Sequence, residues 1–262
     1  MANLGVVLLA GGYGTRLYPL TLHQPKALLP LGQGVLLDAL MEKVRALPSL
    51  AKIVLVTNHR FALAFDAWRR HTGARVTLVD NGTATPAQRL GAMRDLQLGW
   101  ERAPGGDVLV IGTDNLFSWS LGPFVRRAQR HRPAATVATW HVPCLQDASL
   151  YGVVQANRRG QIMRFEEKPA RPSSRAIALC VYYFPAPMRP RVAQFLSERR
   201  GQGDAPGRFV AWLTEQEPVY AAPARGQWFD IGSPDSYRQV LAWTARGSAR
   251  SPRVRAIGGS AR

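Results

Sequence analysis

The 262-residue chain has only two cysteines, Cys144 and Cys180. That excludes a disulfide scaffold and a cysteine-rich zinc module. Lysine is scarce: Lys26, Lys43, Lys52 and Lys168 are the only four among 34 basic residues. Acids are scarcer than bases, and 17 Asp and Glu leave a formal net charge of +17. No apolar run reaches the roughly 18 residues of a membrane span. There is no internal repeat, and in particular no hexapeptide repeat of a β-helix. The five histidines, His23, His59, His71, His131 and His141, show no ligand spacing. The N-terminus, MANLGVVLLAGG, lacks a basic leader and reads as a first strand rather than a signal peptide. These absences point to a soluble, cytoplasmic protein.

What is present is an ordinary globular composition, 46% hydrophobic and 19% charged. A chain of this length buries most of its apolar surface without staples. Thirty arginines carry the excess charge. A basic surface attracts polyanions through counterion release. Here, however, the arginines are spread along the chain, and no helix-turn-helix, zinc finger or RNA-binding signature accompanies them. The charge therefore reads as a solubilising surface rather than a nucleic-acid site. Small anionic substrates fit either account.

Apolar β-rich runs alternate with amphipathic stretches in the first half. Strands are predicted at Gly5 to Ala10, Lys52 to Thr57, Arg75 to Val79 and Asp107 to Ile111. Between them, Leu36, Leu40, Val44 and Leu47 predict one helix; Leu63, Ala67 and Arg70 predict a second with a basic outer face; Leu90 to Trp100 predicts a third. This alternation implies a doubly wound α/β fold with a mostly parallel sheet. The second half has strand-like runs without long helices between them: Ala135 to His141, Tyr151 to Ala156, Gln161 to Glu166 and Ile177 to Phe184. The tetrapeptide Asn157 to Gly160 reads as a hairpin turn. Helical stretches follow near Arg191 to Arg199, Phe209 to Glu215 and Pro234 to Arg246. No linker divides the chain, so residues 1–246 read as one domain, with an α/β core and a mixed-sheet extension. Residues 247–262 are rich in Gly, Ser and Arg and read as a disordered basic tail.

The first strand runs into Leu9-Ala10-Gly11-Gly12-Tyr13-Gly14-Thr15-Arg16-Leu17. Glycines after a buried strand leave backbone N–H groups free to form an anion nest. Ligands bind at such strand ends in doubly wound sheets. The spacing is neither the dinucleotide fingerprint nor a P-loop. Arg16 beside the loop suits phosphate oxygens. Lys26 follows within Gln24-Pro25-Lys26-Ala27-Leu28-Leu29-Pro30, where the alternative is a tight turn with a surface salt bridge. Together the two segments favour a triphosphate site. Asp114 sits just past a buried strand, and Asp230 follows a Trp-Phe pair. Two such carboxylates can converge on Mg²⁺. The alternative for each is a helix cap.

The chain resembles the sugar-phosphate nucleotidyltransferase family. Its motifs stand here as GGYGTRLYPLT, QPKALLPL, Ile111-Gly112-Thr113-Asp114-Asn115, Tyr151-Gly152-Val153-Val154, Phe165-Glu166-Glu167-Lys168-Pro169 and Trp228-Phe229-Asp230-Ile231-Gly232-Ser233. The resemblance runs to about residue 243 and is nearest in style to the short glucose-1-phosphate thymidylyl- and uridylyltransferases. It implies a Rossmann-like core, a mixed β extension for the sugar and no β-helix domain. It implies transfer from an NTP, dTTP or UTP favoured, to a sugar 1-phosphate, giving an NDP-sugar and pyrophosphate. The implied catalytic groups are Arg16, Lys26, Asp114 and Asp230, with Mg²⁺ on the two aspartates. The implied nucleotide site adds Leu9, Ala10, Gly11, Gly12, Gly14 and Thr15, with Thr83, Arg89 and Gly91 toward the base. Gly152, Glu167, Lys168 and Trp228 are implied for the sugar phosphate, with Glu166 on the opposite strand face. In the residues themselves, Lys168 is equally an ion-pair partner of its acidic neighbours, and Gly152 an ordinary strand glycine.

Two departures stand out. Thymidylyltransferases have a glutamine and a glycine ahead of a leucine where Arg89 precedes Leu90 here, and Cys180 stands where they tend to have glycine. Rival readings follow: a cytidylyltransferase acting on choline phosphate or a phosphonate, or a catalytically silent regulatory subunit. Intact Arg16, Lys26, Asp114 and Asp230 argue against silence. Homo-oligomerisation is left open.

Overall fold

A strand buried on both faces is apolar throughout, whereas a helix covering it is apolar along one stripe. The sequence has this pattern, and the fold follows it. The structure is a computed structural model that describes residues 3–103, 105–201 and 203–247. Apart from Gly247, which ends a helix, the basic tail lies outside the described residues.

The chain begins with β1 (Leu4–Ala10), the short pair β2 (Pro30–Leu31) and β3 (Gly34–Val35), and α1 (Leu36–Arg45). Next come β4 (Leu50–Thr57), α2 (His59–Thr72), β5 (Thr77–Asp80), α3 (Ala92–Arg102) and β6 (Asp107–Gly112). The middle holds β7 (Asn115–Phe117), α4 (Leu121–Gln129), β8 (Ala135–His141), β9 (Gly152–Ala156), β10 (Ile162–Glu167) and β11 (Ala176–Phe184). The last segment comprises α5 (Arg189–Glu198), α6 (Pro206–Gln216), β12 (Val219–Pro223), β13 (Trp228–Asp230) and α7 (Pro234–Gly247).

Strands β6, β1, β4 and β5 lie side by side and parallel. β11 continues the sheet antiparallel to β6, and β9 and β10 follow it. β8 also pairs antiparallel with β11 and carries β12 parallel to itself. The expected parallel core with a mixed extension is therefore present. Successive side chains of a strand point to opposite faces. Val6 and Leu8 of β1 pack with Leu37, Leu40 and Phe65 of α1 and α2. Val7, between them, packs with Trp100, Phe195 and Phe209 of α3, α5 and α6. A third, smaller cluster joins Leu17, Leu29, Leu36, Leu116, Ile231, Tyr237 and Val240. It lies under the loops described below.

Two expectations need correction. Helix α2 exists, but Leu63, Ala67 and Arg70 are on its exposed side, with Leu63 84% exposed. The buried face is Phe61, Phe65 and Trp68, because three large rings gain more from burial than a leucine and an alanine. The third helix begins at Ala92 rather than Leu90, since Gly91 holds φ at +87° and cannot belong to a right-handed helix. The hairpin turn forms as read: Gly160 N donates to Asn157 O at 2.9 Å, with φ of +83° at Gly160.

Candidate active site

At the C-terminal end of β1 the chain turns through Gly11, Gly12, Tyr13 and Gly14. Gly14 has φ of +65°, which glycine adopts without strain. Its carbonyl accepts from Leu17 N at 2.8 Å and from Thr21 Oγ1 at 2.7 Å, fixing the turn. Thr15, Arg16 and Leu17 form one tight helical turn, and Lys26, Ala27 and Leu28 form another. Buried Leu17 and Leu29 anchor both turns in the small third cluster.

The two aspartates come together through a short ladder. Asp114 falls between β6 and β7, and β7 pairs antiparallel with β13 so that Asn115 lies opposite Asp230. Ile231 N donates to the Asp114 carbonyl at 3.0 Å. Neither aspartate caps a helix. Ser120 stands at the start of α4, and Ser233 accepts from Ser236 N at 3.2 Å at the start of α7.

Lys26 Nζ lies 2.9 Å from Asp114 Oδ2. A Cβ placed on Gly232 would be 3.4 Å from both Arg16 Nη2 and Asp230 Oδ2, so arginine and aspartate share that corner. Burial alone would raise the Asp114 carboxyl, but the Lys26 ammonium, with help from Arg16, holds it below its ordinary value. Asp230 moves the other way. Burial and the neighbouring Asp114 charge push it up, against Lys26, Arg16 and Lys168. Three cations thus converge on two acids. Among the described residues no group of three or more His, Cys, Asp or Glu is placed to hold a metal ion. Mg²⁺ typically takes one or two carboxylates and completes its shell with substrate phosphate oxygens and water. Two hard oxygen donors from Asp114 and Asp230 fit that ion.

These groups line a cleft of about 670 Å³. Leu9, Gly11, Gly12, Gly14 and Thr15 form its floor with Arg16 and Lys26. Arg89 and Gly91 lie toward the β5–α3 side; Gly152, Glu167, Lys168 and Trp228 lie toward the β9–β10 side. Ala10 and Thr83 do not line it. Ala10 is buried under the loop. Thr83 is buried as well, accepting from Tyr13 Oη at 3.0 Å and donating to Asn81 Oδ1 at 2.8 Å. Its place is behind the wall.

On the β9–β10 side, Lys168 takes φ of +49°, and its N–H donates to Tyr151 O at 3.0 Å. Glu167 faces the cleft, while Glu166 accepts from Arg164 at 2.8 Å and Ser173 at 3.1 Å. The expected alternation of the two glutamates holds. Burial raises the Glu167 carboxyl against the pull of Lys168 and Arg208. Gly152 touches the Phe165 ring so closely that a Cβ would lie 2.4 Å from it. Trp228 donates from Nε1 to Asn115 Oδ1 at 2.8 Å and stands edge-on to Tyr151.

Among the cleft residues given no role from the sequence are Tyr13 and Tyr151, which stand inside quoted motifs, and Asn81, Asp95 and the segment 204–207. Asp95 carried a signal, since it falls on the apolar stripe of α3 with Met93, Leu96 and Trp100. Cys180 also lines the cleft, but burial and the charge of Asp114 hold its thiol in the neutral form. A neutral thiol is a poor nucleophile.

A family model described as nucleotidyl transferase matches residues 5–246. A mannose-1-phosphate guanyltransferase of Schizosaccharomyces pombe is 28% identical over 237 residues, covering 88% of this chain and 61% of that protein. A glucose-1-phosphate thymidylyltransferase of Mycobacterium tuberculosis is 26% identical over 235 residues, covering 88% of this chain and 78% of that protein. A solved structure of a UDP-glucose pyrophosphorylase complexed with UDP-glucose superposes with a TM-score of 0.78 at 18% identity, covering 94% of this chain and 99% of that one. That likeness is one of fold. The chain spans 61% of the length of the guanyltransferase it matches. No helix among the described residues is long and apolar enough to cross a membrane.

Proposed function

The chain belongs to the nucleotidyl transferase family, and from that premise we propose that it transfers a nucleotidyl group from an NTP to a sugar 1-phosphate, releasing pyrophosphate. The observation that carries this reading is the meeting of Asp114 and Asp230 with Lys26, Arg16 and Lys168 in one cleft. Residues 1–246 are proposed as the catalytic unit and 247–262 as a tail outside it.

A phosphate oxygen of the acceptor attacks the α-phosphorus of the NTP. The bond from that phosphorus to the β-phosphate bridging oxygen breaks, and the electron pair leaves with pyrophosphate. The acceptor phosphate is already ionised near neutral pH, so no general base is required. The chain supplies position and charge. Backbone N–H groups of the glycine turn and the Arg16 guanidinium receive the β- and γ-phosphates. Lys26 adds a point charge on the same side and holds Asp114 in place. Asp114 and Asp230 would hold Mg²⁺, which when bound neutralises charge on the phosphate oxygens. Lys168 draws the acceptor phosphate in from the β9–β10 side, and Glu167 accepts from sugar hydroxyls. The overall family resemblance, taken without the Arg89 departure, implies dTTP or UTP as donor.

The test is a matrix of NTPs against sugar 1-phosphates, with choline phosphate as a further acceptor, read by pyrophosphate release with Mg²⁺. Release that depends on both a sugar 1-phosphate and an NTP supports the reading. Release with choline phosphate alone, or none in any combination, refutes it.

A further inference from the structure

Asp95 is a buried acid in the cleft wall that the proposed chemistry does not use. It is 6% exposed and lines the cleft beside Gly11, Asn81 and Gly91. Asn81 Nδ2 donates to its Oδ1 at 2.8 Å. Its Oδ2 has no hydrogen-bond donor among the described residues and lies against Gly11, where a Cβ would come within 2.2 Å. No cation pairs with it among the described residues. Burial pushes its carboxyl up to about 6, and the Asn81 hydrogen bond only partly offsets this. A buried, unpaired carboxylate in a cleft is a candidate functional group.

The hydrogen bonds around it run one way. Tyr13 Oη donates to Thr83 Oγ1, which donates to Asn81 Oδ1; Asn81 Nδ2 donates to Asp95. Thr83 N also donates to Asn81 Oδ1, at 3.0 Å, so the amide is locked in this orientation. A chain of donors ends on an acceptor, and the open Oδ2 asks for one more donor.

The strand order says which part of the substrate lies there. On the proposed reading, the phosphate groups centre on the ends of β1 and β6, where Arg16 and Asp114 stand. Glu167 and Lys168 occupy the β9–β10 side. The β5–α3 side, with Asn81 and Asp95, is where the family resemblance implies the nucleobase, alongside Arg89 and Gly91. We propose that Asp95 selects the base, and that the base is guanine. Guanine presents two adjacent donors, N1–H and the N2 amine, to a carboxylate. Its O6 lies on the far side of N1 from the amine, clear of the carboxylate. Thymine and uracil present a single N3–H between two carbonyl oxygens, which the carboxylate repels. Adenine and cytosine pair a single amine with a ring acceptor. A site built on a buried hydrogen bond rejects an analogue lacking it far more strongly than an apolar pocket does. The inference rests on the nucleotidyl transfer reading and departs from its pyrimidine expectation.

The test measures kcat/KM for GTP, ITP, dTTP, UTP, CTP and ATP with one accepted sugar 1-phosphate. It uses the unaltered protein, Asp95→Asn and Asp95→Ala. Binding of each nucleotide without acceptor is followed by calorimetry. GTP should exceed dTTP and UTP by tenfold or more, and ITP, lacking the N2 amine, should fall below GTP. Asp95→Asn keeps an oxygen for Asn81 but removes the charge. It should raise KM for GTP about tenfold, leave kcat within a few-fold and shrink the ranking. UTP or dTTP matching GTP, or an unchanged ranking in Asp95→Asn, overturns the guanine inference and leaves the transfer reading standing. GTP preference in calorimetry without turnover on any sugar phosphate supports Asp95 and overturns the transfer reading. Absence of binding by any nucleotide overturns both.

Discussion

Lys26 Nζ and Asp114 Oδ2 sit 2.9 Å apart, joining a residue from the loop after β1 to one at the end of β6. The pair neutralises the Asp114 carboxylate within a partly buried site and orients it. The same lysine helps restrain Asp230, whose carboxyl is pushed up by burial and by Asp114. A cation that supports both acids cannot be removed without changing them.

Asp114→Asn and Asp230→Asn should each reduce kcat on the order of a hundredfold or more, the loss expected when a metal ligand goes. Both should keep the far-ultraviolet circular dichroism of the unaltered protein. Pyrophosphate release measured against Mg²⁺ concentration checks this. Full turnover of the unaltered protein in excess chelator would remove the metal from the mechanism.

Lys168→Ala should raise KM for the sugar phosphate more than for the NTP. Arg16→Ala should do the reverse and lower kcat as well. The division follows from the elements that carry them, Arg16 on the turn after β1 and Lys168 just past β10. A charge that touches its substrate equally in ground and transition states affects KM alone. Lys168→Arg should recover only part of the loss, since a planar fork replaces a point charge. Separate titration of the two substrates decides it, and a Lys168→Ala effect confined to the NTP would reverse the assignment.

Asp95→Asn should raise the melting temperature at pH 8. The Asp95 carboxyl is raised from 3.8 to about 6 on folding, so the folded state holds the proton more tightly. Its ionisation therefore lowers stability as pH rises from about 4 to about 6, and the full cost, on the order of 1–3 kcal/mol, is present above that window. The melting difference between variant and parent should be several degrees at pH 8 and narrow steadily as pH falls through 6 toward 4. A variant less stable than its parent at pH 8 would make the carboxylate a structural acceptor.

A chain ending at Gly247 should melt within about two degrees of the full chain and keep its turnover, since Tyr237 and Val240 already seat α7 in the third cluster. Calorimetry and initial rates on the shortened chain test this. A large fall in either would assign residues beyond the helix a place in the catalytic unit.

The strand–helix alternation was legible in the sequence because fully buried runs such as VVL in β1 and VLVI in β6 alternate with amphipathic stretches. The motif residues of the cleft were legible too, since they are local runs of glycine, lysine and aspartate. What could not be read was lateral. Phe61, Phe65 and Trp68 displace Leu63 from the buried face of α2 through packing with residues far away in the chain. Thr83 belongs to the right loop but turns behind the wall, where Tyr13 and Asn81 hold it. Asp95 was passed over because a single acid in a helix is usually a surface charge. Only the fold shows that its side of α3 is closed by Gly11 and Asn81.

The β7–β13 ladder has a consequence for the newborn chain. Asp114 leaves the ribosome well before Asp230, with β1, β4, β5 and β6 already made behind it. Asp230 and the helix that seats its loop are among the last described segments to emerge. A chain still being translated thus has the glycine-rich floor and one carboxylate but not the second. Its main cores can close before β13 and α7 dock, so assembly of the charged centre waits for the segment that carries Asp230.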